Sequence, residues 1–232
     1  MCGRLLQISP PEALAHAYGV PSFLVKVPLE THPRYNVAPS QPLSAVRLTP
    51  DGERELVPLI WGLVPRWSKD PKTPYSTINA RAETVADKPA FRDAFRRRRC
   101  LIPADGFYEW RLAPTGSSTG KQPFRILAKD GQPLTFAGLW ERWEGECHAP
   151  IESCSIIVTA ANPLMATIHD RMPAMLTPEA WSAWLDPRTD TGALKALLEA
   201  WPDGLLKAYP VSQAVNSPRN DSPALLEPVP AI

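Results

Sequence analysis

The chain reads as an α+β protein whose mainly antiparallel strands wrap into a barrel-like sheet, with helices at its periphery. Three observations predict this. Strand-like runs outnumber helical ones, and the 232 residues show none of the strand–helix–strand rhythm of a parallel α/β fold. The 28 prolines favour short elements joined by stiff connections over a helical bundle. Apolar runs are separated by turn pairs such as Asp51-Gly52 and Asp130-Gly131, which suit antiparallel neighbours.

In chain order, Ser9-Pro10-Pro11 supplies a cap and a proline-started first turn for a short helix over 12–18, closed by Gly19. Arg34-Tyr35-Asn36-Val37-Ala38-Pro39 has no clear period and reads as an ordered loop. Runs 43–48 and 55–60 are strands around the Pro50-Asp51-Gly52 turn. An extended piece near Asn79 precedes a helix over 88–98, on which Phe91 and Phe95 share a face. Runs 100–103 and 106–110 are strands with a kink at Asp105-Gly106, and 113–121 is a Gly/Ser/Thr loop. Runs 124–128 and 134–140 read as a hairpin across Asp130-Gly131, and 155–159 as a buried strand. The stretch 162–175 is loop-like, helices follow over 178–185 and 192–201, and 212–232 is a Pro/Ser/Asn-rich tail. With no internal repeat and no linker, residues 2–232 read as a single domain, the tail packed on it or trailing from it.

Lys and Arg number 25 against 24 Asp and Glu, so whole-chain charge does not announce nucleic acid and any basic surface is local. Eight tryptophans suggest aromatic anchors or a groove. No run approaches the roughly 18 apolar residues of a membrane span, and no signal peptide is visible, which predicts a cytoplasmic protein and no membrane partner. The four cysteines include no CxxC pair, so free thiols are expected. Cys147, His148 and Cys154 are metal-type donors without a fourth, and no metal is expected.

Cys2 is the first chemically distinctive residue. Loss of Met1 would leave an α-amine and a thiol on adjacent carbons, a 1,2-aminothiol. The amine condenses with an aldehyde to a Schiff base and the thiol then closes a thiazolidine ring. Ordinary values are about 7.7–8.0 for the amine and about 8.5 for the thiol, so both nucleophiles are partly available near neutrality. From these residues alone, Cys2 is equally an incidental feature of a chain end.

Glu109 lies between Tyr108 and Trp110, where aromatic shielding would raise its pKa into the range of proton transfer; the alternative is a solvent-facing strand residue. His169, beside Asp170 and Arg171, is either a proton-handling group or an exposed loop histidine. Asn79 and Arg81 alternate on an extended segment and so could enter one cleft. Asn79 would there orient an amine or sugar oxygen and Arg81 bind phosphate; otherwise Asn79 makes a turn and Arg81 pairs with Glu83. The run from Arg96 to Arg99 reads mostly as a solvated helix end. Arg4, Arg66, Arg81 and Arg171 each adjoin a motif, and Trp67 and Pro39 are candidate stacking surfaces for bases.

In order, the chain contains Met-Cys-Gly-Arg, Arg-Tyr-Asn-Val-Ala-Pro, Trp-Gly-Leu-Val-Pro, Asn-Ala-Arg-Ala-Glu-Thr, Pro-Ala-Asp-Gly-Phe-Tyr-Glu-Trp, Ile-Val-Thr-Ala-Ala-Asn and Ile-His-Asp-Arg-Met-Pro. This set resembles the SRAP (SOS response-associated peptidase) family, whose members cross-link to abasic sites in single-stranded DNA. The resemblance implies a nucleophile at Cys2, catalytic roles for Asn79, Glu109 and His169, and DNA contacts at Arg4 and Arg81, to which Pro39, Trp67 and Arg171 are added. It implies no cofactor, abasic single-stranded DNA as partner, and a monomer that is nucleoid-associated when bound. Some members carry a second aromatic after the residue matching Trp67, where this chain has Ser68. The rival reading is an N-terminal-nucleophile cysteine hydrolase or autopeptidase, which would use the same Cys2 with its amine as base.

Overall fold

The computed structural model describes residues 2–28, 32–72, 76–112, 120–145 and 148–230. The strands are β1 (Arg4–Gln7), β2 (Arg34–Val37), β3 (Pro42–Leu48), β4 (Arg54–Trp61), β5 (Asn79–Arg81), β6 (Arg99–Ala104), β7 (Gly106–Leu112), β8 (Lys121–Ala128), β9 (Leu134–Trp143), β10 (Ile151–Ala160), β11 (Arg171–Pro173) and β12 (Leu206–Pro210). The helices are α1 (Pro11–Tyr18), α2 (Arg92–Arg97), α3 (Pro163–Ala166), α4 (Pro178–Leu185) and α5 (Thr191–Ala196).

The strands form two sheets. One runs β12-β8-β7-β1-β2, antiparallel throughout. In the other, β10, β4, β3, β6 and β9 pair in turn and β9 returns to β10, closing a five-stranded barrel. The α+β, barrel-like expectation is met, though the pairing is mixed: β10 runs parallel to both β4 and β5.

Side chains alternate between two cores, as a period of two requires. On β6, Cys100, Ile102 and Ala104 join the core shared with the five-stranded sheet, while Leu101 joins the one covered by helices. On β4, Val57, Leu59 and Trp61 face the first and Leu56 the second. The helical cover comes from Leu14 and Tyr18 of α1, Phe95 of α2, Trp184 of α4 and Leu194 of α5. Each such residue, fully buried, contributes on the order of 1.5–3 kcal/mol. Tyr18 stacks on Trp181 with ring centroids 4.3 Å apart, which locks α1 to α4.

Local expectations fared unevenly. Helix α1 begins at Pro11 and ends on a left-handed Gly19 (φ 63°), but Ser9 is not its cap. Ser9 instead gives its amide and hydroxyl to the Asp105 carboxylate, at 2.9 and 2.5 Å. The Arg34–Val37 segment is strand rather than loop, because β1 offers it an edge. Segment 162–175 holds a turn of helix, capped by the Asn162 side chain on Met165 N, and the short strand β11. Helix α2 covers only Arg92–Arg97, with Phe91 at its cap, and α5 stops at Ala196. Arg96 and Arg97 are solvated, as expected, but Arg99 is buried, its guanidinium donating to the carbonyls of Trp184, Phe95 and Asp186 at 2.6–2.7 Å.

The expected hairpin across Asp130-Gly131 is overturned. The turn exists, with Gly131 at φ 78°, but β8 pairs with β7 and β12 while β9 pairs with β6 and β10. The chain there crosses from one sheet to the other. A second crossing lies at Gly106, where φ is 143° and a Cβ would fall 2.7 Å from the Ile126 carbonyl, so only glycine fits. Of the expected loop at 113–121, residues 113–119 lie outside the described residues, as does Cys147, while Lys121 already belongs to β8. Among the described residues no helix is long and apolar enough to cross a membrane.

Candidate active site

Strand β1 carries the N-terminal segment into the middle of the five-stranded sheet, between β2 and β7. Its register with β7 pairs Arg4 with Tyr108 and Leu5 with Phe107. Continued one residue, that register sets Gly3 opposite Glu109, so topology delivers a carboxylate beside Cys2. Glu109 is 3% exposed and Cys2 1%. Burial pushes the Cys2 thiol far above its ordinary value, and the Glu109 charge adds to the effect. The thiol is therefore protonated at neutral pH.

Asn79 arrives from the barrel side. Strand β5 pairs parallel with β10, setting Asn79 beside Ile156 and Arg81 beside Val158. Ile156 and Val158 belong to the same core as Cys2, whereas Ala80 points into the other. Asn79 and Arg81 thus share the face that carries Cys2. The Asn79 Nδ2 donates to the Cys2 carbonyl at 2.8 Å. Its Oδ1 is buried and accepts no hydrogen bond among the described residues, which leaves an acceptor open beside Cys2. Arg81 is exposed.

The His169 loop closes over the same core. Met165, Ile168 and Met172, which bracket it, pack in the cluster containing Cys2. His169 Nδ1 lies 3.0 Å from the Arg171 amide and 2.8 Å from Asp170 Oδ1. Arg171 forms an ion pair with Glu83, tying this loop to the end of β5; the alternative Arg81–Glu83 pair is not formed, though Arg81 still helps lower the Glu83 carboxyl.

Arg4 turns toward the tail. Its guanidinium donates to Asn36 Oδ1 at 2.9 Å and to the carbonyls of Val215 and Asn216 at 2.5 and 2.8 Å. Asn36 donates to the carbonyls of Ser217 and Asn220, and Trp110 Nε1 to Asn216 Oδ1. Val215 and Leu225 are buried, so the tail packs on the sheet. Sequence reasoning passed over Asn36; its only signal was a polar residue inside the Arg-Tyr-Asn-Val-Ala-Pro motif. Trp67 is 57% exposed, with Nε1 3.3 Å from the Pro89 carbonyl, and Pro39 is half-buried beside Ser40, a non-glycine residue at φ 69°.

No group of three or more His, Cys, Asp or Glu side chains among the described residues is arranged to hold a metal. Cys154 points into the core, and His148 lies against Trp143 with ring centroids 5.7 Å apart.

A buried cysteine near the chain start is thus flanked by a strand carboxylate and bonded by an amide from a second sheet. The family model for SOS response associated peptidase (SRAP) matches residues 1–218, and the chain belongs to this family. It is 44% identical over 229 residues to the abasic site processing protein YoqW of Bacillus subtilis, covering 98% of this chain and 99% of that one. It is 33% identical to the abasic site processing protein HMCES of Mus musculus, covering 98% of this chain and 76% of the other. A crystal structure of a protein from Bacteroides thetaiotaomicron superimposes with a TM-score of 0.83 at 27% identity, over 98% of this chain and all of that one.

Proposed function

We propose that this protein processes abasic sites in single-stranded DNA by forming a covalent thiazolidine cross-link through Cys2 once Met1 is removed. The observation that carries the reading is the arrangement of Cys2 against Glu109 and Asn79, in a chain whose relatives are named abasic site processing proteins.

The ring-opened abasic sugar presents an aldehyde. The Cys2 amine adds to its C1 carbon, and loss of one water gives a Schiff base. The Cys2 sulfur then bonds to C1 while the imine nitrogen takes a proton, so the thiol proton is conserved in the ring and the net product beyond the adduct is that one water. A thiol held protonated by burial suits this order: nitrogen attacks first and sulfur closes. Glu109 carries the protons between thiol, carbinolamine and nitrogen. Asn79 fixes the backbone of Cys2, and its open Oδ1 receives the amine or a sugar hydroxyl. His169 holds the sugar oxygen. Arg81, which is exposed, carries a flanking phosphate, whereas Arg4, expected to do so, is held by Asn36 and the tail carbonyls, and Arg171 is paired with Glu83; Trp67 and Pro39 offer faces for bases.

Purified protein is incubated with abasic single-stranded DNA and run on a denaturing gel, alongside an intact-mass measurement. The expected result is a heat-stable adduct from protein lacking Met1, and an unstable imine from Cys2→Ser. Protein that keeps Met1 and still forms the stable adduct would overturn the reading. Release of glutamate from glutamine, or cleavage of peptides, would favour the hydrolase that the family's peptidase description suggests.

A further inference from the structure

A second basic surface lies beyond Trp67. A cleft of about 430 Å³ is lined by Arg66, Trp67, Arg96, Arg97, Arg98 and Glu141, with Asp93 at its edge. It adjoins another of about 420 Å³ that shares Arg66 and Arg98 and adds Trp140 and Arg142. Two of the cleft's cations are in part neutralised from within. Arg98 pairs with Glu141 at 2.6 Å, and Arg66 lies close enough to that carboxyl to hold its pKa down. Burial outweighs both and leaves the Glu141 carboxyl raised. Arg66, Arg96 and Arg97 are exposed and form no ion pair among the described residues. Three guanidinium groups around an exposed indole are unusual in a chain whose net charge is only +1.

The surface is stitched to the proposed site. Leu63 N donates to the Thr77 carbonyl and Trp61 Nε1 to the Ile78 carbonyl, which lays the segment leading to Trp67 beside the one leading to Asn79. Beyond Arg81 the chain runs to Pro89, whose carbonyl accepts from Trp67 Nε1. The segments that carry Asn79 and Trp67 thus lie side by side.

We propose that this cleft grips the DNA strand beyond the lesion, its phosphates on Arg66, Arg96 and Arg97 and a base against Trp67. This rests on the nucleic-acid reading of the Cys2 site and extends it by a second set of backbone contacts. Such contacts hold the strand without reading its sequence and depend steeply on salt. The Arg-rich end of α2 then serves as a clamp rather than only a solvated helix terminus.

The test is binding of an undamaged single-stranded oligonucleotide, followed by fluorescence anisotropy over a range of salt. Arg96→Ala/Arg97→Ala removes two exposed side chains, and unchanged melting confirms that the variant folds. Each arginine–phosphate pairing removed lowers the log–log salt slope by about 0.7, so this variant should show a slope smaller by about 1.4. Adding Arg66→Ala should lower it again, whereas Trp67→Ala should weaken binding at constant slope. A slope unchanged in the triple variant would overturn the proposal. A second arm compares cross-linking of abasic oligonucleotides with long and short flanks. The rate advantage of the long flank should collapse in the arginine variants; an intact advantage would overturn the clamp. Should the parent protein cross-link neither oligonucleotide, the Cys2 reading fails while the salt slope still decides on the cleft.

Discussion

Asn79→Ala removes the side-chain bond from β5 to Cys2, the proposed nucleophile. That bond is 2.8 Å long and ends on the carbonyl of a residue 1% exposed. Leaving a buried acceptor without its donor costs about 1–3 kcal/mol. If the whole of that energy is used to hold Cys2 in its reactive position, the barrier rises by the same amount, and cross-linking slows between roughly fivefold and 150-fold. Asn79→Asp should be slower still, because an ionised carboxylate offers only acceptors to the Cys2 carbonyl. The assay is the single-turnover rate of adduct formation on abasic single-stranded DNA, with melting measured in parallel. For a chain of this size each kcal/mol lost from stability lowers Tm by about 2–4 °C. A rate within twofold of the parent, with Tm lowered, would show that the bond only stabilises the fold and would refute the reasoning.

Further outcomes follow from the same structure. Glu109→Gln should slow cross-linking by about 10²–10⁴-fold as proton transfer is lost, while alkylation of Cys2 becomes faster because a charge that raises its pKa is gone; slower alkylation would contradict this. Gly138→Ala would set a Cβ 2.7 Å from Cys100 Sγ and 2.8 Å from Ile102 Cδ1, both on buried side chains. The overpacking should cost about 1–3 kcal/mol in urea unfolding. Stability should also fall at alkaline pH. Burial pushes the Cys100 thiol from its ordinary 9.0 up to about 12, so the folded chain keeps a proton that the unfolded chain releases. That contribution is complete below pH 9 and is lost as pH rises toward 12, at about 1.4 kcal/mol per pH unit. Cys100→Ala should flatten the decline over this window in reducing urea titrations; an unaltered slope would show that the thiol is not held protonated.

Much of the site was legible one residue at a time. The period-two alternation of Asn79 and Arg81 offered one face to both, and the aromatic neighbours of Glu109 made its burial one of two readings, the one the structure takes. The prolines that start α1 and α4 and the glycine that ends α1 are local signals and mark those helices. Partners distant in sequence were not legible. The Asp130-Gly131 turn looks the same whether its flanking strands pair with each other or with different sheets. Arg4 adjoins a reactive motif, yet its guanidinium goes to carbonyls more than two hundred residues away. The Arg34–Val37 segment lacks alternation because its burial is decided by the β1 edge and by the tail that packs on it.

The sequence by itself determined which groups exist and how they are spaced: a cysteine at position two, a carboxylate between two aromatics, an amide and an arginine two residues apart. These follow from side-chain chemistry and backbone period, which are local. Only the tertiary structure decided that the carboxylate stands across a strand pair from Gly3, that the amide reaches the Cys2 carbonyl from a second sheet, and that α2's arginines surround Trp67. Those juxtapositions depend on strand order and register, and they are fixed by burial of two shared cores that no single segment encodes.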